Sequence, residues 1–405
     1  MTIANSTSHH PSTEAKLPRR DWILLPLISL LTTAVLAGST EMIARRVFSG
    51  STTLMENCMV MDDPSTGPRA IPNTACWEKI PESQLVEYKF NSCGHRAGME
   101  CEPKQPGTYR IVMTGSSLAL GEGVPREQTF AALLPGELSQ ETGRKVELYN
   151  ESMGWGFPPS VRLRFNEVLS AKPDLILWIL TPGDIEGASL VVYSSNADSR
   201  FQRSLTLPER AWLHMKLAFS SMSFEVAASE LFNRTRTAVL LRHFLYQSES
   251  QYVTAYEMVK DEEGGFLKAN QSAQWKGHLK QFEGDAAAIE EQAETAGVPF
   301  VAVLVPIRAQ AAMISMGKWP ANFDPYELDN QLRTIIVRHG GTYLDILPDY
   351  RDIPNAARGY YPLDAHPNAE GHKTIAELLA KALTSGAVPA IHVPTQSQSL
   401  LSKGR

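Results

Sequence analysis

The run Leu175-Ile176-Leu177-Trp178-Ile179-Leu180, which follows Lys172-Pro173-Asp174, carries no polar side chain. A strand with one face in water alternates apolar and polar residues, so a strand apolar throughout must be covered on both faces. A parallel sheet meets that condition, because its crossover helices pack above and below it. The rest of the chain agrees. Short β runs at Arg110–Met113, Val146–Asn150, Phe300–Val305 and Thr342–Ile346 are separated by stretches of helical periodicity. These helices are Thr129–Thr142, Pro159–Ser170, His278–Ala296, Pro325–His339 and Ala369–Leu383. Phe130, Leu133, Leu134 and Leu138 share one face of the first, and Pro158 and Pro159 suit the opening turn of the second. The prediction is an α/β domain over residues 107–385, built on an open, five-stranded parallel sheet with helices on both faces. The rhythm lapses between about residues 186 and 277, where Pro208–Met222 and Phe224–Gln247 read as parts of a helical insertion.

Two regions precede this domain. Trp22–Thr40 has no charged residue, and as a helix it would extend about 28 Å, close to the hydrocarbon thickness of a bilayer. Lys16, Arg19 and Arg20 lie before it, and Glu41, Arg45 and Arg46 after it, a charge bias that slightly favours an inside amino terminus. A signal peptide cut near Ala37-Gly38 is one reading. The length of the run, and the helical pattern continuing through Glu41–Arg46, favour an uncleaved single-pass anchor over residues 22–46. The remainder of the chain is then periplasmic or extracellular. Cys58, Cys76, Cys93 and Cys101 all fall in the extension 47–106 and read as two disulfides formed in an oxidising compartment, with three pairings open. A zinc site using His95 is disfavoured because no CxxC spacing occurs. Residues 1–21 and 386–405 are polar tails, the first expected to be disordered. The net charge of −6 speaks against a general nucleic-acid binder.

The segment Ile111-Val112-Met113-Thr114-Gly115-Ser116-Ser117 reads as a buried strand that breaks at a glycine and presents a serine. In open parallel sheets this carboxyl edge is where ligands bind. Gly115 permits a tight turn, and Gly121 and Gly123 a close approach of backbone. A serine hydroxyl is a poor nucleophile near pH 7 unless a base takes its proton and a third group orients the base. Asp364-Ala365-His366, far downstream, offers both. In an extended segment, positions i and i+2 project to the same side, which would bring Asp364 to the His366 ring. The helix starting near Asn368 disfavours an imidazolium and Asp364 favours one, a balance suited to a neutral general base. Taken singly, such a serine more often caps a helix and such a histidine more often satisfies backbone groups. His372, inside the helix, reads as a surface or packing residue.

Together and in this order, these segments resemble the SGNH/GDSL hydrolases over about residues 91–185 and 296–385. Phe90-Asn91-Ser92-Cys93-Gly94-His95-Arg96 looks like the lead-in of membrane-anchored members. The family's Gly-Asp-Ser block appears as Gly115-Ser116-Ser117, its Asn…Gly block as Asn150-Glu151-Ser152-Met153-Gly154, and its last block as Asp364, His366, Pro367-Asn368 and Gly371-His372. The resemblance implies a flavodoxin-like sheet, Ser117 as nucleophile, and His366 and Asp364 as base and orienting acid. It also implies that the N–H groups of Ser117 and Gly154 form the oxyanion hole. Three departures stand out. Ser116 replaces the aspartate of the first block. The final spacing is Asp-x-His rather than Asp-x-x-His. The third block, Gly-x-Asn-Asp in the family, is Thr181-Pro182-Gly183-Asp184, so Gly183 stands where an oxyanion-binding Asn is usual. Loss of one such donor costs about 2.7–4 kcal/mol of transition-state stabilisation unless Ser116 or a residue of the insertion substitutes.

The resemblance thus implies a membrane-tethered, extracytoplasmic serine esterase that removes acyl groups, acetyl among them, from carbohydrate or lipid esters. It implies no metal or organic cofactor, since the serine itself carries the acyl group. An O-acetyltransferase acting on envelope polysaccharide would use the same residues. A non-catalytic carbohydrate-binding or assembly protein could keep the fold without the Asn. Within the insertion, Arg234, Arg236, Arg242 and His243 interleave with Leu231, Val239, Leu240, Leu241, Phe244 and Leu245. This pattern favours a helix packed on the α/β body with a solvated basic face, with a lid or a membrane-surface helix as the alternative.

Overall fold

The computed structural model describes residues 18, 20–61, 63, 65–193, 235–259, 265–388 and 391. Helix α1 (Asp21–Val47) takes in the whole apolar run and continues unbroken through Glu41–Arg46. Among the described residues it is the one helix long and apolar enough to cross a membrane, and none of its most apolar stretch is buried against the rest of the chain.

The extension is more structured than a stalk. It forms β1 (Ser51–Thr52), α2 (Leu54–Asn57), β2 (Met59–Val60), β3 (Arg69–Ala70), β4 (Ala75–Lys79) and β5 (Val86–Lys89). Strands β1, β4 and β5 make an antiparallel sheet, and β2 pairs with β3. Disulfides Cys58–Cys76 and Cys93–Cys101 resolve the three possible pairings. Alternation along β4 and β5 turns Cys76, Val86 and Tyr88 inward, where they pack with Leu54, Met59 and Phe90 and with Leu120 and Met153 of the main domain. Strands this short carry little periodicity among the prolines and glycines around them, so sequence reading passed over them.

The main domain runs β6 (Thr108–Gly115), α3 (Ser117–Leu120), α4 (Phe130–Thr142), β7 (Lys145–Asn150), α5 (Pro158–Ser170), β8 (Leu175–Leu180) and α6 (Pro182–Tyr193). It resumes with α7 (Arg236–Leu245), α8 (Glu249–Val259), α9 (Ala273–Thr295), β9 (Phe300–Leu304), α10 (Arg308–Met316), α11 (Glu327–Arg338), β10 (Thr342–Leu344) and α12 (Ala369–Thr384). The sheet order is β10-β9-β8-β6-β7 with every pairing parallel. Counted within the sheet this is 2-1-3-4-5, the flavodoxin-like doubly wound order, whose switch point lies beside β6. Every residue of β6 and β8 is buried, as the apolar run of β8 requires, and in β6 this includes Arg110, paired with Glu147 at 2.5 Å. Thr129 caps α4 by accepting the Ala132 N–H, and Asn368 caps α12 by accepting the N–H groups of Glu370 and Gly371. Helix α10 was not foreseen. It is buried from Arg308 to Ile314, so it lacks the one-sided pattern by which surface helices are recognised.

The described part of the insertion is mostly helical, in the end of α6, in α7 and α8, and in the start of α9. Pro208–Met222 and the first part of Phe224–Gln247 lie outside the described residues. Helix α7 does not turn the expected basic face to solvent. Its Ala238 is buried and its Arg242 and His243 are half-buried, whereas Leu241 and Phe244 are 50% and 62% exposed. His243 is turned inward onto the Glu82 carboxylate, and Arg242 faces the cavity described below.

Candidate active site

Strand β6 ends at Gly115, where a Cβ would lie 2.6 Å from the Ile179 carbonyl oxygen and 2.9 Å from the Ala119 Cβ. Only glycine lets the strand end that close to β8 and fold straight into the turn carrying Ser117. Gly121, at φ +85°, closes the short helix α3. The turn is then clamped from the extension. The buried Arg96 guanidinium donates to the carbonyl oxygens of Leu120, Gly121 and Val124 at 2.8, 2.8 and 2.7 Å and lies 4.1 Å over the Tyr88 ring. The Tyr88 hydroxyl accepts the Gly123 N–H at 2.8 Å.

The structure brings Ser117, His366 and Asp364 together. Ser117 Oγ lies 2.8 Å from His366 Nε2, and His366 Nδ1 lies 2.6 Å from Asp364 Oδ1. The route to that contact differs from the extended segment expected. Ala365 sits at φ +68°, the Tyr361 N–H donates to the His366 carbonyl, and the Ala365 N–H donates to the Tyr361 carbonyl. A left-handed turn at the middle residue, not strand alternation, folds the Asp364 carboxylate back onto the ring.

A second carboxylate, Glu122, lies 3.7 Å from His366 Nε2, on the side facing Ser117. Burial by itself would lower the His366 pKa. The hydrogen bond to Asp364 and the charges of Glu122, Asp364 and Glu78 outweigh it and raise the ring to about 9. The neutral balance expected from sequence is therefore tipped towards imidazolium. Burial pushes Glu122 up to about 7 in spite of the nearby imidazolium. Burial also works against ionisation of Asp364, yet its contacts with His366 hold it below the usual carboxylate range. Glu122 was missed as a site residue, though an acid between Gly121 and Gly123 in an otherwise apolar segment is a usable signal. His372 is fully buried, stacks on Phe130 at 5.3 Å and accepts the Phe130 N–H, which makes it a packing residue.

Ser117, Asp364 and His366 line a cavity of 470 Å³ together with Gly183 and, from the insertion, Arg242, Tyr246, Tyr252 and Phe266. Gly154 is not among the lining residues. It is buried, in a loop fastened to the end of β6 by the Met153 N–H on the Gly115 carbonyl at 3.0 Å. Ser116 is turned to another task. Its hydroxyl bonds Asp184, whose carboxylate also accepts the Thr181 N–H and hydroxyl at 2.6 and 2.9 Å. Burial raises Asp184 to about 6, with Ser116 and Thr181 opposing the shift. Thr181-Pro182-Gly183-Asp184 is thus a buttressed turn that presents the Gly183 backbone, not an Asn amide, to the cavity. Among the described residues no group of three or more His, Cys, Asp or Glu side chains is placed to hold a metal ion.

No protein-family model matches the sequence, and no curated protein matches it. Solved structures similar to it include TesA, at 11% identity over 68% of this chain and 98% of that one, with a TM-score of 0.37. A variant of Axe2, an acetyl-xylooligosaccharide esterase from Geobacillus stearmophilus, is similar at 11% identity over 68% and 94% of the two chains, with a TM-score of 0.37. The lipase/acylhydrolase from Enterococcus faecalis is similar at 12% identity over 68% and 95%, with a TM-score of 0.36. The fold itself is read from this chain's own strand order and crossovers. In its 2-1-3-4-5 parallel sheet, and in the sequence blocks that meet along that sheet's carboxyl edge, the chain resembles the SGNH/GDSL hydrolases.

Proposed function

We propose that this protein is a membrane-tethered serine hydrolase of the SGNH/GDSL type acting on ester bonds. The observation that carries the reading is the continuous Ser117–His366–Asp364 hydrogen-bonded chain on the cavity wall. His366 Nε2 takes the Ser117 proton as Oγ attacks the ester carbonyl carbon, and Asp364 keeps Nδ1 protonated and supports the resulting imidazolium. The Ser117 N–H holds the tetrahedral oxyanion; Gly154, the second donor that the resemblance implies, does not line the cavity. His366 then returns its proton to the leaving alkoxide, and a water deprotonated by the same nitrogen releases the acyl group from Ser117. The tyrosine and phenylalanine faces of the cavity suit an acylated sugar or another ester with an apolar flank. Helix α1 supplies the tether, with the catalytic domain outside the cytoplasm, in keeping with the two disulfides.

A serine-reactive phosphonate applied to the full chain in detergent tests this reading. Wild type is labelled and hydrolyses acetyl esters, while Ser117→Ala loses both. Product on an added sugar acceptor, with little hydrolysis, would place the chain among acetyltransferases. An unlabelled wild type that hydrolyses nothing overturns the enzymatic reading.

A further inference from the structure

The loop Pro362–Asp364 is gripped from two sides by residues that sequence reading gave no role. Glu82, in the β4–β5 connection of the extension, has a side chain only 2% exposed. Its Oε2 accepts the N–H groups of both Leu363 and Asp364, at 2.7 and 3.1 Å. Arg308, at the start of α10 and 1% exposed, donates to the Pro362 carbonyl at 2.5 Å. One group therefore holds the loop's donors and the other its acceptor. Both are tied to the helical insertion as well. Glu82 Oε1 meets His243 Nδ1 at 2.5 Å, and Arg308 donates to the Tyr246 carbonyl while stacking 3.9 Å over Tyr252. Helix α7 is in turn fixed to the end of α1, where the Glu41 carboxylate accepts the N–H groups of Arg236 and Thr237 and Phe48 meets the His243 ring at 5.2 Å.

We propose that Glu82 is a positioning residue for the acid–base loop. It sets the placement of Asp364, and through His243 it links that placement to α7 and the carboxyl end of α1. The proposal rests on the reading of Ser117, His366 and Asp364 as a triad. Ala365 already spends its conformational freedom on the left-handed turn, so the loop cannot recover correct geometry alone once its two donors lose their acceptor. The division of labour within the carboxylate makes the idea testable by shape. A Gln side chain at this position keeps an oxygen where Oε2 lies and turns its NH₂ to His243, whose other tautomer can accept. An Asp side chain keeps the charge and cannot reach.

The test compares Glu82→Gln, Glu82→Asp and Glu82→Ala in the full chain, using initial rates on an acetyl ester and melting temperature. The expected order of kcat is wild type, then Gln within a few-fold, then Asp, then Ala about 100-fold down, since a displacement of about 1 Å at a reacting group costs on that order. KM stays within about twofold, in line with a loss confined to the chemical step. In Glu82→Ala the acid limb of kcat/KM also moves to lower pH, because a displaced Asp364 no longer supports the imidazolium. If the order of Asp and Gln is reversed, charge matters and reach does not, and the inference fails. It fails too if Glu82→Ala keeps the wild-type kcat, or if every variant loses activity only in step with melting temperature. Should Glu82→Ala not fold, the Gln-over-Asp order alone decides. A low-field proton resonance from His366 Nδ1–H, identified by its loss in His366→Ala, reads the same geometry without turnover. Its displacement in Glu82→Asp and retention in Glu82→Gln would support the proposal even if wild type proved inactive on every ester, and the same resonance in all variants would overturn it.

Discussion

The turn carrying Ser117 and the loop carrying His366 meet at 2.8 Å, yet they are built in opposite ways. The turn carrying Ser117 is shaped by its own neighbours in sequence and then clamped by Arg96 and Tyr88 of the extension. An apolar strand, a glycine with no room for a side chain and a glycine at positive φ leave the backbone one path. The loop carrying His366 closes on itself through only two backbone bonds, from the Tyr361 N–H to the His366 carbonyl and from the Ala365 N–H to the Tyr361 carbonyl. It contains a non-glycine residue at φ +68°, and the backbone groups of Pro362, Leu363 and Asp364 are satisfied by Glu82 and Arg308, both upstream in sequence. Local sequence can make a strand end; a loop that strays from secondary structure needs partners remote in the chain.

The comparison can be broken most forcefully at Gly115. Gly115→Ala places a methyl 2.6 Å from a main-chain oxygen that cannot move without disturbing β8, and should cost about 3 kcal/mol of stability in urea unfolding. An unchanged midpoint would show that the nucleophile turn is looser than its packing indicates. Next comes Gly183→Asn. A Cβ there meets only the Thr181 hydroxyl, at 3.7 Å, so the side chain has space and can return an amide to the oxyanion. Its kcat on acetyl esters should rise about tenfold, a fraction of what one such donor contributes where it is native. No gain would mean that another group already fills that role.

A smaller effect sharpens the role of charge around the loop. With His366 raised to about 9, the ring is mostly protonated at neutral pH and cannot accept the Ser117 proton, so kcat/KM should climb with pH through an apparent pKa near 9. Glu122→Gln removes a negative charge beside Nε2 that favours the imidazolium, so this limb should move to lower pH and the rate at pH 7 should rise. A limb that stays in place would separate Glu122 from the titration. The smallest effect is at Ala365. Glycine adopts φ +68° without the penalty of about 1 kcal/mol that a Cβ incurs, partly offset by its freer unfolded state. Ala365→Gly should therefore leave kcat within about twofold and the melting temperature within a few degrees. A large loss of activity would mean that the turn is held by the residue itself.

Much of the scaffold was legible because period and composition report it directly. Leu175–Leu180 is a strand with the boundaries expected, and the helices at 130–142, 158–170 and 369–384 begin and end within a residue or so of the prediction. The three residues of the proposed triad were legible for a different reason, the recurrence of known blocks in a known order. What escaped were features with no period: the short strands of the extension, the fully buried helix α10, and the inward turn of the basic side of α7. Glu82 and Arg308 escaped as well, because nothing near either one in the chain marks it as a neighbour of Asp364.

By itself, the sequence determined the layered α/β scaffold, the apolar span of α1 and which serine stands at the carboxyl edge of the first main-sheet strand, since each is encoded in side chains within one or two turns of one another. Only the tertiary structure decided the disulfide pairing, the left-handed geometry at Ala365, the second carboxylate beside His366 and the grip of Glu82 and Arg308 on the loop before His366. These depend on contacts between residues far apart in the chain, and such contacts arise only when the burial of β6 and β8 has brought the modules together.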